Sequence, residues 1–303
     1  MGVSFIKIFK AKVVWVCFSF MVVAVHISCA QSSAMFSQYR FNELVLNPAY
    51  AGTHSITEIT ALYRNQWSGI EGAPETKTLS AHSLLGQGPS AIGLIILNDK
   101  IGITKQNQFS LIYAYRLPIG DGTLSFGIQS QFNFVKFDFS NLNLDVDDDP
   151  SFNEDLSENE VNFGAGLYYS TDRFYIGLAA TNMDRSKIFS RHWLVSAGKV
   201  FDINRNFKIK PSVLVKYVAG APLEIDLSGT VFWKDKVWLG ASWRSFDGVH
   251  FLTGFNVTPR LSLGYAYDWI LTDLNAFSSG TNEVMLSYRF SFDRSMIITP
   301  RYF

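Results

Sequence analysis

Cysteine is nearly absent from this chain. Two of its 303 residues are cysteine, Cys17 and Cys29, and both fall within the first thirty positions. From Gln31 onward there is no thiol, so neither a disulfide framework nor a zinc site of the usual cysteine-containing kind can form. Histidine is sparse too. His54, His82, His192 and His250 follow the first thirty residues, and none stands in a metal-ligand spacing such as HxxxH. An excess of charge is missing: 26 basic residues balance 26 acidic ones. That argues against a nucleic-acid partner, which demands a basic surplus. No run of 18 or more apolar residues occurs beyond the first thirty, so no transmembrane helix is expected. Glycine-rich phosphate loops are lacking as well; Gly86-Gln87-Gly88 and Gly120-Asp121-Gly122 read as hairpin turns. Nothing in this inventory points to a cofactor or a resident metal.

The first thirty residues have the three-part build of a secretory signal peptide. Lys7, Lys10 and Lys12 give a positive start, Val13 to Ile27 is apolar apart from Ser19 and His26, and Ser28-Cys29-Ala30 closes the stretch before Gln31. Cleavage is expected after Ala30. The rival is a lipoprotein signal with Cys29 acylated, which His26, Ile27 and Ser28 fit poorly. Removing the leader takes three lysines and no acid, leaving a formal charge of −3.

What the chain has in abundance is alternation. Phe207, Ile209, Pro211, Val213, Val215 and Tyr217 interleave with Lys208, Lys210, Ser212, Leu214 and Lys216. Leu223 to Trp233 and Leu261 to Trp269 repeat the pattern. A period of two means a strand whose faces meet two different solvents. Segments of about ten such residues, tipped with aromatics and separated by turn formers, are what a transmembrane antiparallel β-barrel of the outer-membrane type needs. Aromatics make up 15% of the chain, in keeping with two interfacial girdles.

Fourteen strands are predicted, near 55–67, 76–85, 90–98, 103–117, 122–137, 160–170, 173–182, 191–201, 206–218, 222–234, 236–245, 249–258, 260–271 and 281–292. Alternate connections are tight, such as Thr171–Asp172, Lys234–Asp235 and Thr258–Pro259, which suits periplasmic turns. The others include 68–75, 138–160, 183–190 and 271–280, which suits outward loops, although Asn98–Gly102 and Ala219–Ala221 are short. The domain reading is a leader over 1–30, a segment over 31–54 that plugs the lumen or lies at the periplasmic rim, and a barrel over 55–303. The tail beyond the last strand is expected to reach into the periplasm, with Phe303 as a terminal assembly cue.

One polar run stands out. Asp138 to Glu160 holds Asp145, Asp147, Asp148, Asp149, Glu154 and Asp155 without any Lys or Arg. By the loop argument it faces outward. It reads as a solvated loop, as a docking surface for a basic partner through long-range steering, or as a Ca²⁺ site lacking EF-hand register. Ser80 and His82 share a strand face, the one pair that suggests a hydrolase; ordinary lumenal residues are the simpler reading. Arg64, Arg116, Arg244 and Arg289 fall on the face opposite the aromatics. They either gather an anion or pair with acids such as Glu224, Asp226 and Asp268.

The stretch Met35-Phe36-Ser37-Gln38-Tyr39-Arg40-Phe41-Asn42-Glu43-Leu44-Val45-Leu46-Asn47-Pro48-Ala49-Tyr50-Ala51-Gly52 resembles the amino-terminal signature of the PorP/SprF family, outer-membrane proteins of the type IX secretion system in Bacteroidetes. Arg64-Asn65-Gln66-Trp67 after Tyr63, the region around Asp149-Pro150, and Asn282 to Phe290 extend the likeness over nearly the whole mature chain. Asn282 departs from the Gly-x-His expected before the last strand. The resemblance implies a non-enzymatic barrel acting in protein secretion and gliding motility. It also implies partners: periplasmic ring and lipoprotein subunits on one side, a secreted surface protein on the other. The residues alone leave a solute porin or transporter open as the alternative.

Overall fold

The computed structural model describes residues 35–139, 155–184, 186, 188–291 and 302. The leader and its cleavage site, together with Asp145, Asp147, Asp148, Asp149, Glu154 and Phe303, lie outside the described residues.

The two-residue period becomes strand after strand. They are β1 (Thr57–Asn65), β2 (Glu75–Leu84), β3 (Ser90–Ile101), β4 (Thr104–Ile119), β5 (Gly122–Phe137), β6 (Leu156–Ser170), β7 (Phe174–Thr181), β8 (His192–Lys199), β9 (Phe201–Asp202), β10 (Phe207–Val218), β11 (Glu224–Trp233), β12 (Val237–Arg244), β13 (Gly248–Asn256), β14 (Leu261–Ile270) and β15 (Thr281–Phe290). Neighbours pair antiparallel all the way round. The sheet closes where β15 meets β1, with Thr57 opposite Phe290 and Asn65 opposite Asn282. Closure removes both sheet edges, a condition for a sheet that stands in hydrocarbon.

β8 and β9 are one stave. Ser212↔Gly198 and Ile209↔Phe201 keep one register across the gap. The ladder lapses beside Pro211 of β10, which has no N–H to give. The barrel is therefore a closed ring of fourteen antiparallel staves. Two predicted connections need correction. β3 runs on to Ile101, so only Gly102 and Ile103 turn where Asn98–Gly102 was expected to loop; Thr76 holds Asp99 in the strand through a 2.6 Å hydrogen bond. β6 begins at Leu156, so the last residues of the predicted acidic loop pair with β5, Glu158 opposite Val135.

The outside is apolar. Trp193, Tyr217, Trp243 and Trp269 ring the end that carries the long loops. Tyr115, Phe207, Trp233 and Phe255 ring the end with the short turns. Between the girdles stand Leu227, Leu239, Ile128 and Ile176, all facing out. Interleaved residues point inward: Lys210, Thr230, Ser242, His250 and Glu283 are all buried. The barrel thus reverses the usual solvent order, with grease outside and polarity within.

Candidate functional site

Polar side chains in a lumen need partners, because an unpaired buried charge is costly. Here the chain's own amino-terminal segment supplies them. Residues 36–52 carry no strand pattern; they make three single turns of 3-10 helix, Tyr39–Phe41, Glu43–Val45 and Pro48–Tyr50. Ser37, Gln38, Arg40, Leu44, Ala49 and Ala51 are completely buried. The segment enters beside the long-loop end, descends through the lumen and leaves at the short-turn end to become β1.

At the upper end a charged clasp holds it. Glu283 of β15 accepts the backbone N–H groups of Ser37 (2.9 Å) and Gln38 (2.8 Å), one on each carboxylate oxygen. Arg64 of β1 donates to the same Glu283 at 3.0 Å and lies 2.7 Å from Asp268 of β14. Ser37 Oγ donates to Asp268 at 2.7 Å. On the opposite flank Arg244 of β12 donates to the carbonyl of Phe36 (3.2 Å) and pairs with Asp226 at 3.1 Å. Asp226 also faces Arg40 of the segment at 3.6 Å. Asp247, in the turn after β12, pairs with Arg244 and with His250, each at 3.3 Å. Burial pushes its carboxyl up, but the His250 hydrogen bond and the Arg244 charge prevail and hold it down, at about 2.

In the middle the fit is steric. Asn47 caps its own turn by accepting the Ala49 N–H at 2.9 Å, while its amide donates to the carbonyl of Leu167 at 2.9 Å. The wall it meets is bare. A Cβ on Gly127 would stand 2.2 Å from Ala49 N, and one on Gly166 2.0 Å from Asn47 Oδ1. Backbone approaches backbone here because glycine lets it. Lower down, Tyr50 stands edge-on to His82 (5.4 Å) and Tyr168 (5.5 Å). The Gly52 N–H donates to His82 Nδ1 at 3.2 Å. Arg116 of β4 donates to the Thr53 carbonyl at 3.1 Å.

The family-signature residues thus divide. Gln38, Tyr39, Asn47, Pro48, Ala49, Tyr50, Ala51, Gly52 and Arg64 converge in the lumen. Asn65 instead ends β1, and Gln66 and Trp67 build the turn after it, where Trp67 adopts φ +52° and donates its N–H to Thr281 Oγ1. Of the arginines, Arg64 and Arg244 pair with acids as expected. Arg116 and Arg289 meet no acid among the described residues: the first binds Thr53 and the second donates to Ser262 Oγ at 2.9 Å. Ser80 and His82 part company, Ser80 Oγ donating to Asn42 Oδ1 at 3.0 Å and His82 serving Gly52. Ser37 and Glu283 were read only as part of the family stretches, without a role, and the glycine wall was not read at all.

The acidic region is anchored at both flanks by one cation. Lys136 lies 2.6 Å from Asp138 and 2.9 Å from Asp155. Among the described residues no three His, Cys, Asp or Glu side chains converge as a metal site. At the short-turn end Tyr302 folds back against the barrel instead of trailing away from it. It stands edge-on to Phe232 at 5.3 Å, donates to Asp235 at 3.1 Å, and carries Lys208 over its ring at 4.7 Å.

A closed antiparallel barrel, girdled by aromatics outside and polar within, is the build of an outer-membrane β-barrel protein. Residues 28–288 match the family model described as type IX secretion system membrane protein PorP/SprF. This chain belongs to that family and is a membrane component of that secretion system. None of the curated proteins compared with the chain matches it. Among solved structures it is similar to the outer membrane protein Omp33 of Acinetobacter baumannii (13% identity, TM-score 0.48, 79% of this chain and 100% of that one). It is also similar to the KdgM porin in complex with disordered oligogalacturonate (6%, TM-score 0.39, 78% and 99%). A triple mutant of the Rhodopseudomonas blastica porin is similar as well (10%, TM-score 0.34, 78% and 99%).

Proposed function

We propose that this barrel is a non-catalytic docking component of the secretion machinery rather than a solute pore. Its long-loop end, with Asp155 and the acidic residues Asp145, Asp147, Asp148, Asp149 and Glu154, receives a secreted surface protein outside the cell. Its short-turn end meets periplasmic ring or lipoprotein subunits. The observation that carries this reading is the buried segment of residues 36–52, whose backbone is gripped by Glu283 and Arg244 inside the lumen. A conduit for solute would leave that volume to water. The wall charges Glu283 and Arg244 are engaged in holding the peptide.

Affinity purification from detergent-solubilised envelopes tests the proposal. The expected result is co-elution of a secretion-system subunit and one secreted surface protein. Neutralising the four aspartates 145, 147, 148 and 149 to Asn should weaken retention of the surface protein and leave the periplasmic subunit bound. A barrel that elutes alone while conducting sugars would replace this reading with a porin.

A further inference from the structure

The short-turn end of the barrel is polarised in charge. Three successive turns on one side carry Arg205, Lys234, Lys236 and Arg260. They are residues 203–206 between β9 and β10, 234–236 between β11 and β12, and 257–260 between β13 and β14. All four cations are exposed. The acid in these turns, Asp235, is turned to Lys208 at 2.6 Å and to the Tyr302 hydroxyl at 3.1 Å. The other side of the rim lacks this surplus. Leu85 to Pro89 is uncharged, and Gly120-Asp121 is acidic. Asp172 stands beside Arg173, which pairs with Asp202 at 2.9 Å. Residues 291–303 bring no acidic surplus, since they set Asp293 against Arg294 and Arg301. Backbone bonds hold the basic turns to the strands beside them. Lys234 donates its N–H to the Asn206 carbonyl at 2.6 Å, and the Lys236 and Arg260 carbonyls accept from Asn256 (2.7 Å) and Arg289 (2.8 Å). Neighbouring strands lie about 4.8 Å apart, so successive turns stand about 10 Å apart and the crescent spans about 20 Å.

We infer that this crescent docks an acidic face of a periplasmic protein subunit. The inference rests on the docking role proposed above and gives that role a surface and a partner chemistry. A single-sign patch steers an oppositely charged surface into contact and sets its orientation. The cations stand in the turns, past the aromatic girdle of Phe207, Trp233 and Phe255, rather than on the strand faces that lipid covers. Lipid headgroups surround a barrel on every side, whereas this charge fills one sector. A one-sided patch suits a protein that must be seated in one rotation about the barrel axis.

Photo-crosslinking in intact cells tests this. A benzophenone amino acid is placed at position 259, within the crescent, and in a second strain at position 87, on the uncharged turn across the rim. The expected result is a product through position 259 that maps by mass spectrometry to an acidic stretch of a periplasm-facing protein, with far less through position 87. Arg205→Glu, Lys234→Glu, Lys236→Glu and Arg260→Glu together should reduce the product by roughly tenfold or more, steering being lost. Gln at the same four positions covers the case in which the Glu variant fails to assemble, and should reduce the product several-fold. Lys234→Arg with Lys236→Arg, which keeps the charge, should retain it. Products through position 259 that contain only lipid, peptidoglycan or this chain overturn the inference, as does a captured stretch without acidic excess, an equal product through position 87, or a yield unmoved by loss of the four charges. If position 87 captures a protein and position 259 does not, the crescent fails and docking at this end stands. If neither captures one, the crescent and the periplasmic half of the docking role both fail.

Discussion

A Cβ on Gly127 would lie 2.2 Å from the backbone nitrogen of Ala49. The two residues are on different parts of the molecule, one in the barrel wall and one in the segment that fills it. Their contact leaves no space for any other residue at position 127. Gly127→Val should therefore leave β5 intact, since valine suits a strand, while displacing the segment. From Gln31 onward the chain has no cysteine, so in a chain that begins there a single thiol introduced by Ala51→Cys reports on it. Ala51 is completely buried. Maleimide labelling should rise by roughly tenfold or more with Gly127→Val, the overpacking costing about 1–3 kcal/mol. Unchanged labelling would show that the wall yields instead.

Glu283 should prove the main fastening at the upper end. It satisfies two backbone N–H groups and the Arg64 guanidinium together. Glu283→Ala leaves Arg64 with Asp268 and the Ser37 hydroxyl and strands both N–H groups. Breaking a buried pair from one side costs about 3–5 kcal/mol. A thiol introduced by Phe36→Cys should become reactive in this variant and stay protected without it. Protection in both would mean that the segment is held from below.

Lipid should distinguish the two faces of β5. Ile128 is exposed on the outside near the strand centre and its neighbour Gln129 is buried inside. Ile128→Arg should destabilise the barrel by about 2–4 kcal/mol in bilayers. Urea titration in liposomes measures it. A cost of under about 0.5 kcal/mol, usual for a soluble surface site, would contradict a lipid-facing position.

The acid limb of stability should involve Asp247. Its carboxyl is held down at about 2 in the folded protein, against about 3.9 for an unfolded aspartate. Between those values the unfolded chain binds more protons, so stability falls as pH falls. The contribution is complete above pH 4 and lost by about pH 2. Melting temperatures in detergent should drop more over this window for the natural chain than for Asp247→Asn. Equal drops would refute the assignment.

The strands were legible because two immiscible solvents imprint a period of two on every stave. The pattern survives even around Pro211, where the ladder lapses but the register does not. The clasp was not legible. Ser37 and Glu283 are 246 positions apart, and they meet only because fourteen registers bring β15 round to β1. One signal was present and unread. Gly127, Gly166, Gly177 and Gly198 all fall on inward positions of nearby strands. Glycine inside a strand marks a close approach of another backbone. With Asn47-Pro48-Ala49 upstream, those positions indicated a chain lying against that wall. Arg116 and Arg289, which meet no acid among the described residues, answer to a backbone carbonyl and a hydroxyl that no spacing rule foretells.

The account depends on a lumen filled by its own amino terminus, and flux measures that directly. Purified barrel in liposomes should show no swelling in small sugars, and a variant lacking residues 31–54 should swell readily. Equal, rapid swelling by both would show that the segment does not close the barrel, and the docking account would fall to that of a pore.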